Sequence, residues 1–463
     1  MKKKHLALIA IAAAAFTGTA SAQTTIRLTG STAFRGATMT AIRNILQPGY
    51  TFAYAGNANI NSASEAIFTG TTIATAGPPA SPATPVVIKV SWGGSTGGLQ
   101  TVVQNLSVSK WLANSVTQTS GSGTLLSGGG IVYDAPVTAD ITMADTFQSS
   151  TDFKTPALVG TRVGTIVFQW VRNNGSPVGL KNMTPWLATN ILSGGTPLSL
   201  FTGIPADSGT QVLATGRDEE SGTRTATFAD CLFGSSSNPT QYQVVSSGGV
   251  VTDLIPWPAV GVWPEGHSGY LGGGNLVTAL NTPGSATNPN NPAHLVSYAG
   301  INDAANVNPG VVATATATVS AGAVTGVSIT NGGTNYGSGT FVTFTGGGGT
   351  GASATPVIDA AGIITGVTIT NPGTGYTTAP TVAFRGGATL TWNGVPYSPT
   401  AVNEGQYTFW SYQLLYHRAG YTNAPLAAQL AARILNFDAS VSGTKLSDMK
   451  VERTVEGGDV TPK

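Results

Sequence analysis

The sequence predicts α/β domains with open sheets, interrupted late in the chain by an all-β insertion. In the first half of the chain, an apolar run is repeatedly followed by a glycine-rich turn and then by apolar residues at helical spacing. This order is typical of α/β domains, whose ligands bind beyond the carboxyl ends of the strands. Near residue 313 the pattern changes to short alternating strands with Gly and Asn turns, which indicates the insertion.

The first residues are typical of a secretory signal peptide. Lys2, Lys3 and Lys4 precede an apolar run that ends at Phe16, and Ala20-Ser21-Ala22 forms an A-x-A cleavage site. Because the apolar run is too short to span a bilayer, we predict that residues 1–22 are removed. The mature chain of about 440 residues is long enough for two or more domains.

Composition limits the classes of partner and the redox chemistry. Charged residues make up 9% of the chain and the formal net charge is +1, so the protein is no polycation and nucleic acid is not expected as a partner. Cys231 is the single cysteine, which excludes an intramolecular disulfide. Its neighbours Phe228, Leu232 and Phe233 predict a buried, inert thiol.

The individual elements follow from periodicity and turn residues. Short apolar runs predict strands, and spacing of three to four residues predicts helices, while stretches rich in Gly, Ala, Ser, Thr and Pro predict loops. A continuous apolar run predicts a strand covered on both faces. The predicted strands are Thr25–Leu28, Val86–Trp92, Val163–Val171 and Tyr407–Tyr416; the helices are Ala37–Leu46, Leu99–Asn114, Thr225–Phe233 and Ala424–Phe437; the loops are 57–84 and 120–130.

The stretch from about residue 313 to 390 contains an internal repeat. Val324–Tyr336 is similar to Ile364–Tyr376, and Phe341–Phe344 is similar to Thr381–Phe384, each at an offset of 40 residues. Two copies of a β-rich unit are therefore predicted. We interpret them as a spacer, with an adhesion module as the alternative.

Arg217 and the Ser221-Gly222-Thr223 tripeptide form the most informative motif. The tripeptide stands at the start of a predicted helix, where unpaired N–H groups and the helix dipole favour an oxyanion. Alone, such a tripeptide is usually only a helix cap. Two further Gly-Ser turns, at Ser31 and Ser95, make an anion site the better interpretation.

Taken in order, these segments resemble the periplasmic phosphate-binding proteins of phosphate ABC transporters, which are type II solute-binding proteins. The resemblance has departures: the first loop is one residue shorter than expected, the spacing between loops is longer, and Glu220 stands where glycine is common. The matching segments are Gly30–Phe34, Gly94–Gln100, Ala144–Asp145, Arg217 with Ser221–Thr223, 294–300 and 405–412.

The resemblance implies a two-lobed α/β periplasmic binding protein fold (type II) with open sheets, plus the inserted all-β repeat module. The expected ranges are lobe I at 23–158, lobe II at 159–305, the insertion at 306–392 and a return to lobe I at 393–463. It also implies phosphate as the ligand, a membrane permease as the partner, a monomeric periplasmic protein, and neither cofactor nor metal. The expected phosphate ligands are Ser31, Thr32, Ser95, Asp145, Arg217, Ser221, Gly222 and Thr223.

Asp145 is the predicted determinant of selectivity. An ionised carboxylate only accepts hydrogen bonds, so it pairs with a ligand that carries a proton, as phosphate does near neutral pH and sulfate does not. The alternative for Asp145 is a cap or surface aspartate. Arg217 would supply a charge-assisted contact, or would instead pair with Asp218 or Glu219. Glu219 and Glu220 are expected to face solvent or to pair with arginine.

Two other classes of function remain open from sequence. An enzyme has little support, because Gly266-His267-Ser268-Gly269 falls short of a nucleophile elbow and no H-E-x-x-H motif is present. A cell-surface adhesion or matrix protein on the same scaffold is consistent with the repeats and the low charge. Another oxyanion, such as sulfate or molybdate, would also fit similar loops.

Overall fold

In a computed structural model of the chain, the structure describes residues 23–75, 80–258, 268–284, 293–435 and 444–463. The predicted signal peptide, residues 76–84 in part, Gly266-His267 and the end of the last predicted helix lie outside these ranges. Within them, no helix combines the length and the apolar character needed to cross a membrane.

The chain up to residue 158 alternates strands with two helices, as the sequence pattern predicts. Its elements are β1 (Thr24–Gly30), α1 (Arg35–Ile45), β2 (Thr51–Ala55), β3 (Glu65–Thr71), β4 (Pro85–Ser91), α2 (Ser95–Val103), β5 (Thr124–Leu125) and β6 (Ile141–Ala144).

Residues 159–304 also contain both strands and helices. Its elements are β7 (Val159–Arg172), β8 (Asn182–Met183), α3 (Pro185–Ser193), β9 (Thr196–Pro197), α4 (Ser199–Thr202), β10 (Gln211–Ala214), α5 (Gly222–Asp230), β11 (Tyr242–Ser247), β12 (Val250–Pro256), α6 (Gly273–Asn281), β13 (Ala293–Gly300) and α7 (Ile301–Ala304).

The remaining elements comprise a run of strands and a final mixed part. They are β14 (Thr314–Ser320), β15 (Ala323–Asn331), β16 (Phe341–Thr345), β17 (Thr350–Ile358), β18 (Ile364–Thr374), β19 (Thr381–Arg385), β20 (Thr391–Trp392), α8 (Pro399–Asn403), β21 (Trp410–His417), α9 (Ala424–Arg433), β22 (Val451–Glu452) and β23 (Thr461–Pro462).

One open eleven-stranded sheet organises the α/β part, in the order β5-β2-β3-β4-β1-β6-β21-β7-β13-β10-β9. We call the portion from β5 to β6 with α1, α2 and α9 lobe I, and the portion from β13 to β9 with α3 to α7 lobe II. β7 and β21 lie between them and pair antiparallel. The predicted α/β fold with an open sheet is therefore confirmed, and its two halves share continuous strands.

The long strand β7 explains the unbroken apolar run in the sequence. All residues from Val163 to Arg172 are buried, since helices and the C-terminal part of the chain cover both faces of the sheet here. The first part of β7 pairs with β21 and its last part pairs with β13. The returning helix α9 packs its buried Leu426 and Leu430 in one cluster with Ile42 of α1.

Two sequence predictions need correction. Residues 57–84 do not form a loop throughout, because Glu65–Thr71 is the strand β3, with Ile67 and Phe68 buried between β2 and β4. Helix α2 begins at Ser95 and ends at Val103, well before the predicted end at Asn114. Asn105 adopts a positive φ of 59°, a left-handed conformation that typically terminates helices.

The insertion is an all-β structure in which the equivalent strands of the two sequence copies lie together. Strands β15-β14-β19-β16 form one sheet, and the hairpin β17-β18 contacts β15. Strand β16 of the first copy pairs directly with its equivalent β19 of the second. The repeated tyrosines Tyr336 and Tyr376 are both buried. Tyr336 packs with Val342, Ile364, Val382 and Phe384 in the apolar interior of this β structure.

A buried arginine holds the insertion against lobe II. The fully buried Arg172, at the end of β7, donates hydrogen bonds to the carbonyl oxygens of Asn335 (2.6 Å), Gly387 (3.1 Å) and Leu180 (3.3 Å). Its own N–H donates to the carbonyl of Ala388 at 3.0 Å. Burial lowers the pKa of Arg172 to about 10. Residues 387–388 are therefore integrated with lobe II, whereas the spacer role of the repeats stays a prediction.

Arg172→Met should lower the free energy of unfolding by about 3 kcal/mol or more, because three buried carbonyl oxygens lose a charged donor. Urea denaturation measures this. Arg385→Met is the matched control: the half-buried Arg385 makes one side-chain bond, to Asn306 Oδ1 at 3.0 Å, and its loss should cost less than about 1 kcal/mol. Equal losses in the two variants would contradict the anchoring role.

Buried charges hold the C-terminal segment in place. Arg453 donates to the Asp230 carboxylate at 2.7 Å. The Glu456 carboxylate accepts hydrogen bonds from the N–H of Phe147 (3.1 Å) and the hydroxyl of Ser411 (2.6 Å). Burial raises the pKa of Glu456 to about 8 and that of Asp230 to about 6, against the opposing charge of Arg453. The folded protein thus favours the protonated form of Glu456.

The raised pKa of Glu456 predicts a pH dependence of stability. The contribution is fully present below the ordinary pKa of 4.5 and is lost as pH rises through about 8. The free energy of unfolding should therefore fall by a few kcal/mol between about pH 5 and pH 8.5, since one pKa unit corresponds to about 1.4 kcal/mol. Denaturant titrations at several pH values measure it. Glu456→Gln should flatten the profile, and the more exposed Glu452→Gln should leave it unchanged; a wild-type profile in Glu456→Gln would contradict the prediction.

Candidate functional site

The predicted ligand residues lie where strands of the sheet end. Ser31 follows β1, Ser95 begins α2 after β4, and Asp145 follows β6. Strand β1 is parallel to both β4 and β6, so their carboxyl ends lie at the same edge of lobe I. On the lobe II side, Arg217 follows β10, and Ser221 is the N-cap residue of α5.

These residues line one small cavity, which we call the interlobe cleft. The lining atoms leave no room there for a water molecule, so the cleft is closed in this structure. The structure brings all eight predicted residues together there, four from each lobe, and adds one glycine. The lining residues are Ser31, Thr32, Gly94, Ser95, Asp145, Arg217, Ser221, Gly222 and Thr223.

Asp145 is the buried centre of the cleft. Its carboxylate accepts a hydrogen bond from the Ser95 hydroxyl of lobe I and one from the Thr223 hydroxyl of lobe II, the latter at 3.1 Å. The N–H of Asp145 in turn donates to Ser95 Oγ at 3.1 Å. Burial raises the pKa of Asp145, while the Ser95 bond, the charge of Arg217 and the Thr223 bond oppose the rise. Asp145 is therefore neither a helix cap nor a surface aspartate.

Arg217 is held by backbone carbonyl groups. Its Nε donates to the carbonyl of Tyr270 at 3.0 Å and its Nη2 donates to that of Leu271 at 2.7 Å. The side chain is 4% exposed and lines the interlobe cleft. Because these two bonds fix the plane of the guanidinium, the charge faces the cleft in a defined orientation.

Contacts between the starts of α2 and α5 bring the lobes together beside the cleft. The carbonyl of Glu220 accepts hydrogen bonds from the N–H groups of Thr96 (2.9 Å) and Gly97 (3.3 Å). The hydroxyls of Thr96 and Thr225 lie 3.0 Å apart. Two of the N–H groups at the start of α2 are therefore engaged with lobe II.

Two glycines permit this close approach. Gly94 has a φ of 101°, and a Cβ there would overlap the carbonyl oxygen of Glu220. A Cβ on Gly222 would overlap Asp145 Oδ1 and would lie 2.5 Å from Ser95 Cβ. The small residue at each position lets the two lobes share one carboxylate.

Asp218 and Glu220 are buried, and Glu219 is half-buried. Because Glu220 is 3% exposed, it does not face solvent, and its pairing with arginine, the other expectation, stays a prediction. Glu219 accepts a hydrogen bond from the Ser268 hydroxyl, which accepts one from Arg224 Nη1 at 2.7 Å. Burial raises the pKa of Asp218 to about 7, against the charge of Arg217. The Arg224 guanidinium thus offsets part of the negative charge near the cleft.

Several supporting residues were not predicted. Gln241 Nε2 and Arg224 Nη1 donate to the carbonyl of Arg217 at 3.1 and 3.2 Å. The Tyr298 hydroxyl accepts the Arg217 N–H at 3.3 Å and donates to Gln241 Oε1 at 2.7 Å. Tyr298 lies in a segment that the resemblance had singled out, but nothing in the sequence marks Gln241 or the carbonyl of Tyr270.

The described ranges contain no group of three or more His, Cys, Asp or Glu side chains arranged to hold a metal ion. Cys231 is buried, as predicted, and burial raises the pKa of its thiol.

The chain was compared with known proteins. No family model and no curated protein matches it. Similar solved structures include a Clostridium perfringens protein described as a phosphate ABC transporter substrate-binding protein with bound phosphate (11% identity, 90% of this chain and 96% of that chain, TM-score 0.40). A second is an ABC-type phosphate transport receptor from Vibrio cholerae (11% identity, 90% of this chain and 96% of that chain, TM-score 0.38). A third is PstS from Borrelia burgdorferi (8% identity, 91% of this chain and 98% of that chain, TM-score 0.32). All three TM-scores are below 0.5.

Gly222→Ala should lower the free energy of unfolding by about 1–3 kcal/mol, because the new methyl group overlaps the Asp145 carboxylate. Thermal or urea denaturation measures the change. Gly274→Ala is the matched control in the first turn of α6, where a Cβ meets no atom within 4 Å. That control should gain up to about 1 kcal/mol from helix propensity. A higher free energy of unfolding in both variants would show that the lobes tolerate separation at Gly222, and would contradict the prediction.

Proposed function

We propose that the protein is an extracytoplasmic solute-binding protein that captures inorganic phosphate in the interlobe cleft for an ABC transporter. The convergence of eight residues from both lobes on one closed cleft carries this proposal. Hydroxyl groups, one guanidinium and the start of α5 surround that point, which is the donor set that a small tetrahedral oxyanion requires. Ser31, Thr32, Ser95, Arg217, Ser221, Gly222 and Thr223 would hold the anion, and Asp145 would select it.

The hydrogen bonds of Asp145 support a mechanism of selection. A hydroxyl group has one proton to donate, so Ser95 and Thr223 cannot donate to an anion while they donate to Asp145. A ligand that carries its own proton can donate a hydrogen bond to one carboxylate oxygen of Asp145 and release the hydroxyl that bonds that oxygen, which is then free to bind the anion. Sulfate near neutral pH carries no proton and would leave two acceptors facing each other, at a cost of several kcal/mol.

The cellular setting follows from the same proposal. The signal-like N-terminus would direct the chain through the general secretory pathway to the periplasm or cell surface. The two lobes would close on the ligand by hinge motion about β7 and β21, the strands that join them. The monomer would pass phosphate to a membrane permease without chemistry on the protein. Hydrolysis of a chromogenic phosphate ester would favour an enzyme instead.

Calorimetric titration of the mature chain with phosphate tests the proposal. We expect a dissociation constant in the micromolar range or below. Thr223→Val removes one hydroxyl from the cleft and should weaken binding by about tenfold or more. Thr227→Val, one turn further along α5, removes a hydroxyl that bonds the helix carbonyl of Thr223 at 2.7 Å and should leave affinity unchanged. No binding by the wild type would overturn the proposal and favour a surface adhesion protein.

Asp145→Asn should narrow the difference between phosphate and sulfate affinities by at least about tenfold, because an amide can donate to an unprotonated anion. Parallel titrations with both anions measure this ratio. Asp303→Asn serves as the control, since Asp303 lies outside the cleft lining. Unchanged discrimination in Asp145→Asn would remove the selective role from Asp145.

A further inference from the structure

A larger cavity, which we call the polar groove, adjoins the interlobe cleft. Thr32 lines both cavities, and Leu271, whose carbonyl accepts a hydrogen bond from Arg217, lines the groove. The volume of the groove is about 620 Å³, within the range of sites for organic ligands. The interlobe cleft is closed too tightly in this structure to admit a water molecule, so the lobes must separate before a small group enters it. A molecule that filled both would have a compact anionic end and a larger second part.

The charges of the groove place the anionic end in the cleft. Arg35 and Asp303 both line the groove and attract each other. Burial raises the pKa of Asp303, against the charges of Arg217 and Arg35. A Cβ on Gly273 would lie 2.6 Å from Asp303 Cγ, so the carboxyl group of Asp303 already stands at the start of α6. Arg35 and Asp303 therefore offset each other within the groove, while Arg217 lines the cleft and also attracts Asp303.

The groove lining is suited to hydroxyl groups. It carries mainly amide and hydroxyl side chains, which both donate and accept hydrogen bonds. Among the residues that the structure describes, Arg35 Nε and Trp92 Nε1 are buried donors without an acceptor. Both nitrogens lie beneath the surface of the groove, so the amide and hydroxyl side chains of the lining are the groups that would meet a ligand hydroxyl. Besides Thr32 and Ser62, the amide and hydroxyl residues are Asn57, Asn61, Ser64, Asn275, Thr278 and Asn302.

We propose that the protein binds phosphate monoesters of a small sugar or polyol, with the phosphoryl group in the interlobe cleft and the hydroxylated part in the polar groove. This inference rests on the proposed function and extends its ligand from inorganic phosphate to its esters. Thr32 stands where the two cavities meet, so the ester oxygen passes beside it. The phosphoryl group of a monoester retains one proton below about pH 6, and this proton is the one that Asp145 accepts.

Calorimetry at pH 5.5 with inorganic phosphate, glycerol 3-phosphate and glucose 6-phosphate tests the proposal on the mature chain. We expect glucose 6-phosphate to bind at least tenfold more tightly than phosphate, with glycerol 3-phosphate between them. Gly274→Leu should remove this advantage, because its side chain enters the open space of the groove next to Gly274. Its affinity for phosphate should stay within twofold of wild type. Gly274→Ala is the matched control and should retain the preference for the ester.

The outcomes separate the two proposals. Phosphate binding without tighter binding of either ester overturns the groove assignment and leaves the proposed function standing. Equal weakening of phosphate and esters by Gly274→Leu also overturns it, because the groove would then not act separately. Failure of all three compounds to bind overturns the proposed function itself, and the inference falls with it.

Discussion

The structure around the site depends on one buried carboxylate that both lobes share. Asp145 accepts hydrogen bonds from Ser95 of lobe I and Thr223 of lobe II. A buried carboxylate is costly unless it is hydrogen-bonded, so the two lobes must meet where their hydroxyls reach it. Gly94 and Gly222 make that meeting sterically possible, since a side chain at either position would overlap the opposite lobe. The carboxylate, the two hydroxyls and the two glycines therefore act together to fix how the lobes meet.

The central sheet connects this site to the rest of the molecule. β7 pairs with β21 on one side and β13 on the other, so the two lobes are joined by continuous strands. Arg172 at the end of β7 binds carbonyl groups of the insertion. Glu456 and Arg453 fix the C-terminal segment beside the same sheet. The all-β insertion and the chain terminus are thus packed onto the scaffold that positions the cleft.

Local sequence patterns correctly predicted the elements with strong periodicity. They gave wrong predictions where tertiary packing, and not periodicity, decides the secondary structure. The continuous apolar run at Val163–Val171 identified the central strand, because burial on both faces requires apolar residues throughout. Strand β3 was missed, since its apolar core of three residues lies within a Gly- and Thr-rich stretch. Helix α2 was extended too far because Trp111 and Leu112 continue the helical spacing, yet they are buried from a loop after Asn105.

The sequence alone determined which residue types stand at the strand ends and helix starts, because turns and caps have local signatures. Together with the family resemblance, these positions predicted eight of the nine residues that line the interlobe cleft. Only the tertiary structure decided how they act together. The hydrogen bonds to Asp145, the carbonyl groups that hold Arg217 and the polar groove beside Thr32 all join residues far apart in the chain. No local pattern encodes such contacts, since they depend on how the two lobes meet.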